Sequence, residues 1–344
     1  MLGTYRYVLA LLVTLSHLWT SLAGWSGVVA VFGFFLISGY LMTSILHHSY
    51  GFDMAGLRRY AVNRFLRIYP SYWTVLLLSL LVVYAIPKDA FLTNFKLSMP
   101  RELVAHWLPN VFIVGLLDGP LKVLVPPAWS LDIELVFYGL MGLGLSRNRM
   151  TVTVWFLVSL GYTVWLNVQE APFGDRYSAY AAASLPFSMG AMVYMYRHFL
   201  LRYLCLPWTW AVALWLLALV GVRLEWLGDP RGVGFYLLLL LSALLLISIN
   251  KLDPGTLPTW WLRVDQMLGN LAYPIFLCHW QVAAVVRYVV FDSEKPDGGG
   301  LWLVSIGFIH LLGFLVYYLV DRNVNRVRDK VRGKARLDLK ELAE

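Results

Sequence analysis

The strongest constraint on this chain is a series of long apolar runs joined by polar connections. A helix that crosses the hydrocarbon core needs roughly 20 mostly apolar residues, and its backbone polar groups must be satisfied internally. Runs of this kind lie at about 6–22, 27–46, 69–86, 131–146, 151–168, 178–196, 206–223, 233–250, 268–290 and 301–320. The stretch 103–117 is shorter and is interrupted by His106, Pro109 and Asn110. It reads as an interfacial or re-entrant piece. Composition agrees: 59% of the residues are hydrophobic and 14% are charged, where a soluble domain carries about 25% charge. A soluble globular enzyme, a disordered chain and a disulfide-stapled secreted domain are excluded. The expected fold is all-α, a polytopic membrane protein with about ten transmembrane helices.

Charge sets the orientation. With ten spans and an inner N-terminus, Arg58, Arg59, Arg64, Arg67, Arg147, Arg149, Arg197, Arg202, Lys251 and Arg263 fall on the inner side, together with the basic tail. Such loops mark the cytoplasmic side. A full crossing by 103–117 would flip every later loop and place the tail outside. The expectation is therefore both termini cytoplasmic and one long outer connection over 87–130. Residues 1–320 form the membrane domain, and 321–344 a basic tail solvated at the inner leaflet, where anionic lipid attracts it. The formal charge of +8 is explained by these loops, so the expected partner is the lipid bilayer and not nucleic acid. Cys205 and Cys278 lie beside or within apolar runs, with no metal-ligand spacing, and no metal is expected.

Ionisable groups inside spans are costly and invite functional hypotheses. Arg6 and His17 share the first span, eleven residues apart, which is about three turns and about 16 Å on nearly one face. Counted from the inner side, His17 and His279 lie at a depth of about 18 Å and Glu134 at about 23 Å, so the three fall within about 5 Å of one level. That spacing fits one buried site in which imidazole and carboxylate form a general-base pair. Asp132 is nearer the surface and reads as solvated or capping. At the inner end of the third span, Arg64 and Arg67 are three apart and share a face. With Arg58 and Arg59 they suit several phosphates at once. Pro70 suits the first turn of that span. Ser38-Gly39 serves either close helix packing or a hydroxyl facing a substrate.

The same residues carry a resemblance. Arg6 and His17, Phe34-Phe35-Leu36-Ile37-Ser38-Gly39-Tyr40, Arg64 and Arg67 through Pro70-Ser71-Tyr72-Trp73, Trp129-Ser130-Leu131-Asp132-Ile133-Glu134-Leu135-Val136-Phe137-Tyr138, and Tyr273-Pro274-Ile275-Phe276-Leu277-Cys278-His279 resemble, in order, five motifs of the acyltransferase-3 family of integral membrane acyltransferases. Asn63 stands where a basic residue is common, and Phe276 where Tyr is usual. The resemblance implies transfer of an acyl group, often acetyl, from cytoplasmic acyl-CoA to a hydroxyl of a carbohydrate or glycosylated acceptor. Such acceptors include O-antigen and exopolysaccharide, and the setting is a bacterial inner membrane. His17 and Glu134 become the expected catalytic pair, with Glu134 holding the His17 tautomer. Arg6, Arg64 and Arg67 are expected to bind acyl-CoA, and Ser38, Trp129, Ser130, Tyr273 and His279 to contact acyl group or acceptor. The rival reading of intramembrane His and Glu is a proton- or ion-coupled transporter.

Overall fold

A computed structural model describes residues 1–86, 107–117, 123–291 and 297–332. Most of the 87–130 connection and the tail beyond 332 lie outside these residues. The described chain is helical. Its main helices are α1 (Leu2–Leu18), α2 (Ser26–Ile45), α3 (Met54–Ala85), α4 (Ala128–Leu140), α5 (Arg149–Val168), α6 (Tyr180–Met195), α7 (Trp208–Arg223), α8 (Val233–Asn250), α9 (Thr259–Val286), α10 (Gly299–Val316) and α11 (Arg322–Arg332). Wider π-type turns extend α2, α4, α9 and α10 at their C-terminal ends.

A helix therefore stands over each predicted run, but not every one is a full span by itself. Seven are long and apolar enough to cross a membrane, and an eighth is gained if Arg197–Tyr203 and α7, bent by 86° at their break, count as one. At 17 residues α1 is short of the mark, and α6 and α7 have 16 each. The protein is an integral membrane protein.

Three helices outrun their predicted lengths toward the basic side; α9 does so by starting at Thr259. α3 has 32 residues, so the cluster Arg58–Arg67 is helical and Pro70 lies inside the helix, not in its first turn. The ring removes one backbone donor there. α10, its π turn and α11 run on as one helical stretch, Gly299–Val331. α11 packs along the first half of α3. Ser71 Oγ donates to Asp321 at one end of this antiparallel pair, and Arg328 Nη2 donates to Asn63 Oδ1 over 3.3 Å at the other. Over Arg322–Arg332 the tail is a docked helix and not a freely solvated one.

The short helix Leu108–Phe112 sits against the middle of α3. Tyr69 and Tyr72 donate to the carbonyls of Phe112 and Asn110, and Trp73 Nε1 donates to that of Val111 over 2.9 Å. Asn110 Oδ1 in turn accepts from the Leu124 amide at 2.8 Å, just ahead of α4. Irregular backbone is thus satisfied by side chains where water would be scarce. Asp132 belongs to the same arrangement. It is buried and accepts from the Leu116 amide at 2.7 Å and from Tyr180 at 2.9 Å, so it is not a solvated cap.

The centre of the bundle is α2, closed by backbone contact with α6. A Cβ on Gly39 would lie 2.1 Å from the Phe187 carbonyl oxygen, and one on Gly190 would lie 2.0 Å from that of Leu36. The obstacle is main chain on both sides, which cannot swing away. Gly39→Ala is expected to destabilise the protein by about 1–3 kcal/mol through forced separation of the helices. Thermal unfolding in detergent followed by tryptophan fluorescence measures this. An unchanged midpoint would mean that the crossing is looser than described.

Candidate functional site

Two cavities lie between α1, α2, α4 and α9. The first, about 300 Å³, is lined by Arg6, Arg64, Arg67, Ser38, Glu134 and Tyr138, and among others by Ser130, Tyr273 and Arg328. The second, about 590 Å³, is lined by His17, Trp129, Pro126, Tyr177, Ser178 and Trp280, among others. Val31 and Phe276 line both and form their common wall.

The first cavity is dominated by guanidinium. Arg64 is buried, with Nη2 donating to Asn63 Oδ1 over 2.6 Å and Nη1 directed at Met42 Sδ over 3.4 Å. Neither partner carries opposite charge. Arg67 lies 5.2 Å over the Tyr273 ring and makes a loose ion pair, 3.9 Å, with buried Asp321. Tyr273 is turned to the Ile68 carbonyl, donating over 2.9 Å. Glu134 accepts from Ser38 and from Tyr138, each at 3.0 Å. Ser38 therefore presents a hydroxyl to the site while its neighbour Gly39 provides close packing. Arg58 and Arg59 are exposed and line neither cavity.

In the second cavity the decisive contact joins two imidazoles. His17 Nδ1 lies 2.9 Å from His279 Nε2, and the ring planes are 7° apart. His279 Nδ1 lies 2.7 Å from the Phe276 carbonyl oxygen. A carbonyl can only accept, so the Nδ1–H of His279 donates to it. The neutral His279 ring then offers Nε2 as acceptor to the Nδ1–H of His17. The basic lone pair of His17 is left on Nε2, the outer nitrogen of the relay. Trp280 packs 5.1 Å from the His17 ring.

The expected pairing of His17 with Glu134 is not formed. His17 and His279, placed at one depth by the sequence, meet, but Glu134 lines the other cavity. The reason is the segment ahead of α4. Depth counted from the start of an apolar run assumes that the run starts at the membrane surface. α4 instead starts beside Asn110 and Leu124, which are tied to the middle of α3. Glu134 is thereby carried toward the level of Arg6 and Arg67. Trp129 and Ser130, adjacent in sequence, face different cavities. Asn63, Asp321 and Arg328 were absent from the sequence-based site. Their signal was weak: one acid and one base in a charged tail, and an amide where a cation is common.

A family model described as an acyltransferase domain (Acyl_transf_3) matches residues 4–320. The chain belongs to the acyltransferase-3 family. No curated protein and no solved structure matches it. As a member of this family it is a membrane acyltransferase, and every residue of the two cavities up to Tyr273, Phe276, His279 and Trp280 falls within the matched span.

Asp321 sits just past that span and is the carboxylate nearest Arg67. Asp321→Ala would leave the half-buried guanidinium without its counter-charge and the buried Ser71 hydroxyl without its acceptor, an expected loss of about 1–3 kcal/mol. Asp321→Asn keeps an acceptor for Ser71 and should lose less. Unfolding midpoints of the two variants in one detergent check the order. Identical midpoints to the unaltered protein would show the pair to be structurally idle.

Proposed function

We propose that this protein is an O-acyltransferase. It moves an acyl group, acetyl in the first instance, from acyl-CoA to a hydroxyl of a carbohydrate or glycosylated acceptor. It does so in a bacterial inner membrane, with ten crossings and both termini cytoplasmic. The observation that supports this is the pair of cavities with one common wall: arginines on one side, a histidine relay among aromatic rings on the other.

Acyl-CoA enters at the basic side. Its phosphates meet Arg64 and Arg67, with Arg6 deeper in the same cavity. Glu134, Ser38 and Tyr138 offer hydrogen-bonding groups to the amides of the pantetheine arm. The arm carries no charge, so it is the part of the donor that can pass Val31 and Phe276. The acceptor sugar occupies the second cavity, its apolar ring faces stacked on Trp129, Tyr177 or Trp280. His17 Nε2 takes the proton of the attacking hydroxyl as the oxygen bonds to the acyl carbon. The thiolate of CoA leaves and is reprotonated. His279 is a positioning residue. It fixes the His17 tautomer through Nε2 and is itself fixed by the Phe276 carbonyl, the role that the third member plays in other triads.

His17→Ala should lower turnover by about 10²-fold or more while the protein inserts and folds as before. Near-normal activity would remove the base role. His279→Ala should lower kcat by about tenfold to 10²-fold and leave KM for the donor in place, because it acts through His17. Arg64→Gln should do the reverse, raising KM for the donor. Deleting the gene and weighing surface and exported glycans by mass spectrometry tests the overall assignment. Loss of one ester-linked acyl mass supports it, and an unchanged glycan profile counts against it.

A further inference from the structure

The arginine cavity does not end at Arg64 and Arg67. Asn270, Asn325 and Arg328 line it and also line a neighbouring pocket of about 350 Å³, whose other walls include Arg322, Arg326 and Asp329. The two spaces adjoin at these three residues. All three basic wall residues of the outer pocket, Arg322, Arg326 and Arg328, belong to α11, as does its one acid, Asp329.

The charge is unbalanced across both spaces. Six arginines line them, Arg6, Arg64, Arg67, Arg322, Arg326 and Arg328, against the lining carboxylates Glu134 and Asp329 and the nearby Asp321. Glu134 is engaged by Ser38 and Tyr138, and buried Arg64 has neutral partners alone. A buried cation without a counter-charge is strongly unfavourable. An anion with several phosphates would relieve it. Asn63 joins the two halves. Its Oδ1 accepts from Arg64 and from Arg328 and so ties the two guanidinium groups together. Arg328 is further steadied by Asn325 Oδ1 at 2.6 Å.

The geometry points to α11 as part of the donor site: Arg328, with Arg326 and Arg322 outside it, binds the phosphates of the nucleotide end of the donor, while Arg64 and Arg67 take the inner end. The inference rests on the donor reading above and extends it to the tail, whose basic residues would otherwise serve only as an address for anionic lipid. The shared chemistry is phosphate, so the nucleotide and a lipid headgroup must be distinguished.

The test is binding of adenosine 3′,5′-bisphosphate and of CoA, by calorimetry, to the full chain in nanodiscs. One set of discs contains phosphatidylcholine alone and the other adds phosphatidylglycerol. Arg328→Gln is expected to weaken both ligands by about tenfold or more, as loss of a charge-assisted hydrogen bond does. Arg326→Gln, at an exposed position that should fold normally, is expected to weaken them by less. Lys330→Gln removes the same charge from the same helix at an exposed position lining neither space, and it should leave both affinities within about twofold. If the unaltered protein binds both ligands and Arg328→Gln and Arg326→Gln bind them equally well, the tail plays no part and the inference falls while the donor reading stands. If these variants keep nucleotide affinity but lose co-purifying phosphatidylglycerol, the phosphate is that of a lipid and the inference is overturned. If the unaltered protein binds neither ligand in either disc, the donor reading itself fails.

Discussion

Gly3 meets Asp265 on α9, and fourteen residues further along both helices His17 meets His279. In each pair the partners differ by 262 in sequence number. α1 and α9 therefore run parallel without slip for about four turns, or about 21 Å. Fourteen residues are two heptads, the interval at which one helix face returns to the same neighbour. The lower end is pinned by close backbone approach. A Cβ on Gly3 would fall 2.0 Å from the Asp265 carbonyl, and one on Gly269 would fall 2.7 Å from Gly3 Cα. The Asp265 carboxylate also accepts from the Thr4 amide and hydroxyl, each at 2.7 Å. A shift of one helix by a single residue would move its imidazole about 100° around its axis and break the relay. The register at the basic end thus determines the chemistry at the other.

α9 has a second duty. Between Asp265 and His279 it carries Asn270, Tyr273 and Phe276, all of which line the arginine cavity. Phe276 is also the wall of the histidine cavity, and its carbonyl orients His279. Its ring lies 5.7 Å from that of Phe34 on α2. With Val31, this residue separates the cationic space from the relay, and its carbonyl fixes the proton position within the relay. An apolar ring suits the first role. The second needs only backbone, so the chain can carry Phe where Tyr is usual without loss of the carbonyl acceptor.

Much of this could be read from residues. The apolar runs located the helices, and hydropathy needs no knowledge of partners. Arg64, Arg67, Ser38 and Glu134 were singled out by charge or hydroxyl in apolar surroundings, and all four line one cavity. What could not be read is lateral position. Depth is a single coordinate, and it brought His17, His279 and Glu134 to one level without saying which pair would touch. For Glu134 even that coordinate was displaced, since the polar contacts of Asn110 and Leu124 start α4 inside the bundle. The tail failed for a different reason. Alternating charge describes a solvated face equally well as one helix laid along another, and the partner that decides, Asn63, is a neutral residue in a basic cluster 265 positions away.

The division into two cavities follows from what a bilayer permits. Several phosphates cannot be carried through an apolar bundle, and a sugar cannot be held by guanidinium groups alone. Under the proposed reading, arginine lining is acceptable near the side where α3 and α11 project together, because an arriving anion would supply the missing charge. In the other cavity the helices carry neutral hydrogen bonds: imidazole to imidazole and imidazole to carbonyl. A transfer reaction placed between these regions requires that only the uncharged part of a donor cross the Val31–Phe276 wall. Under that proposal the charged end would stay with the arginines throughout, and the energy of its binding would serve to hold the reactive end against the relay.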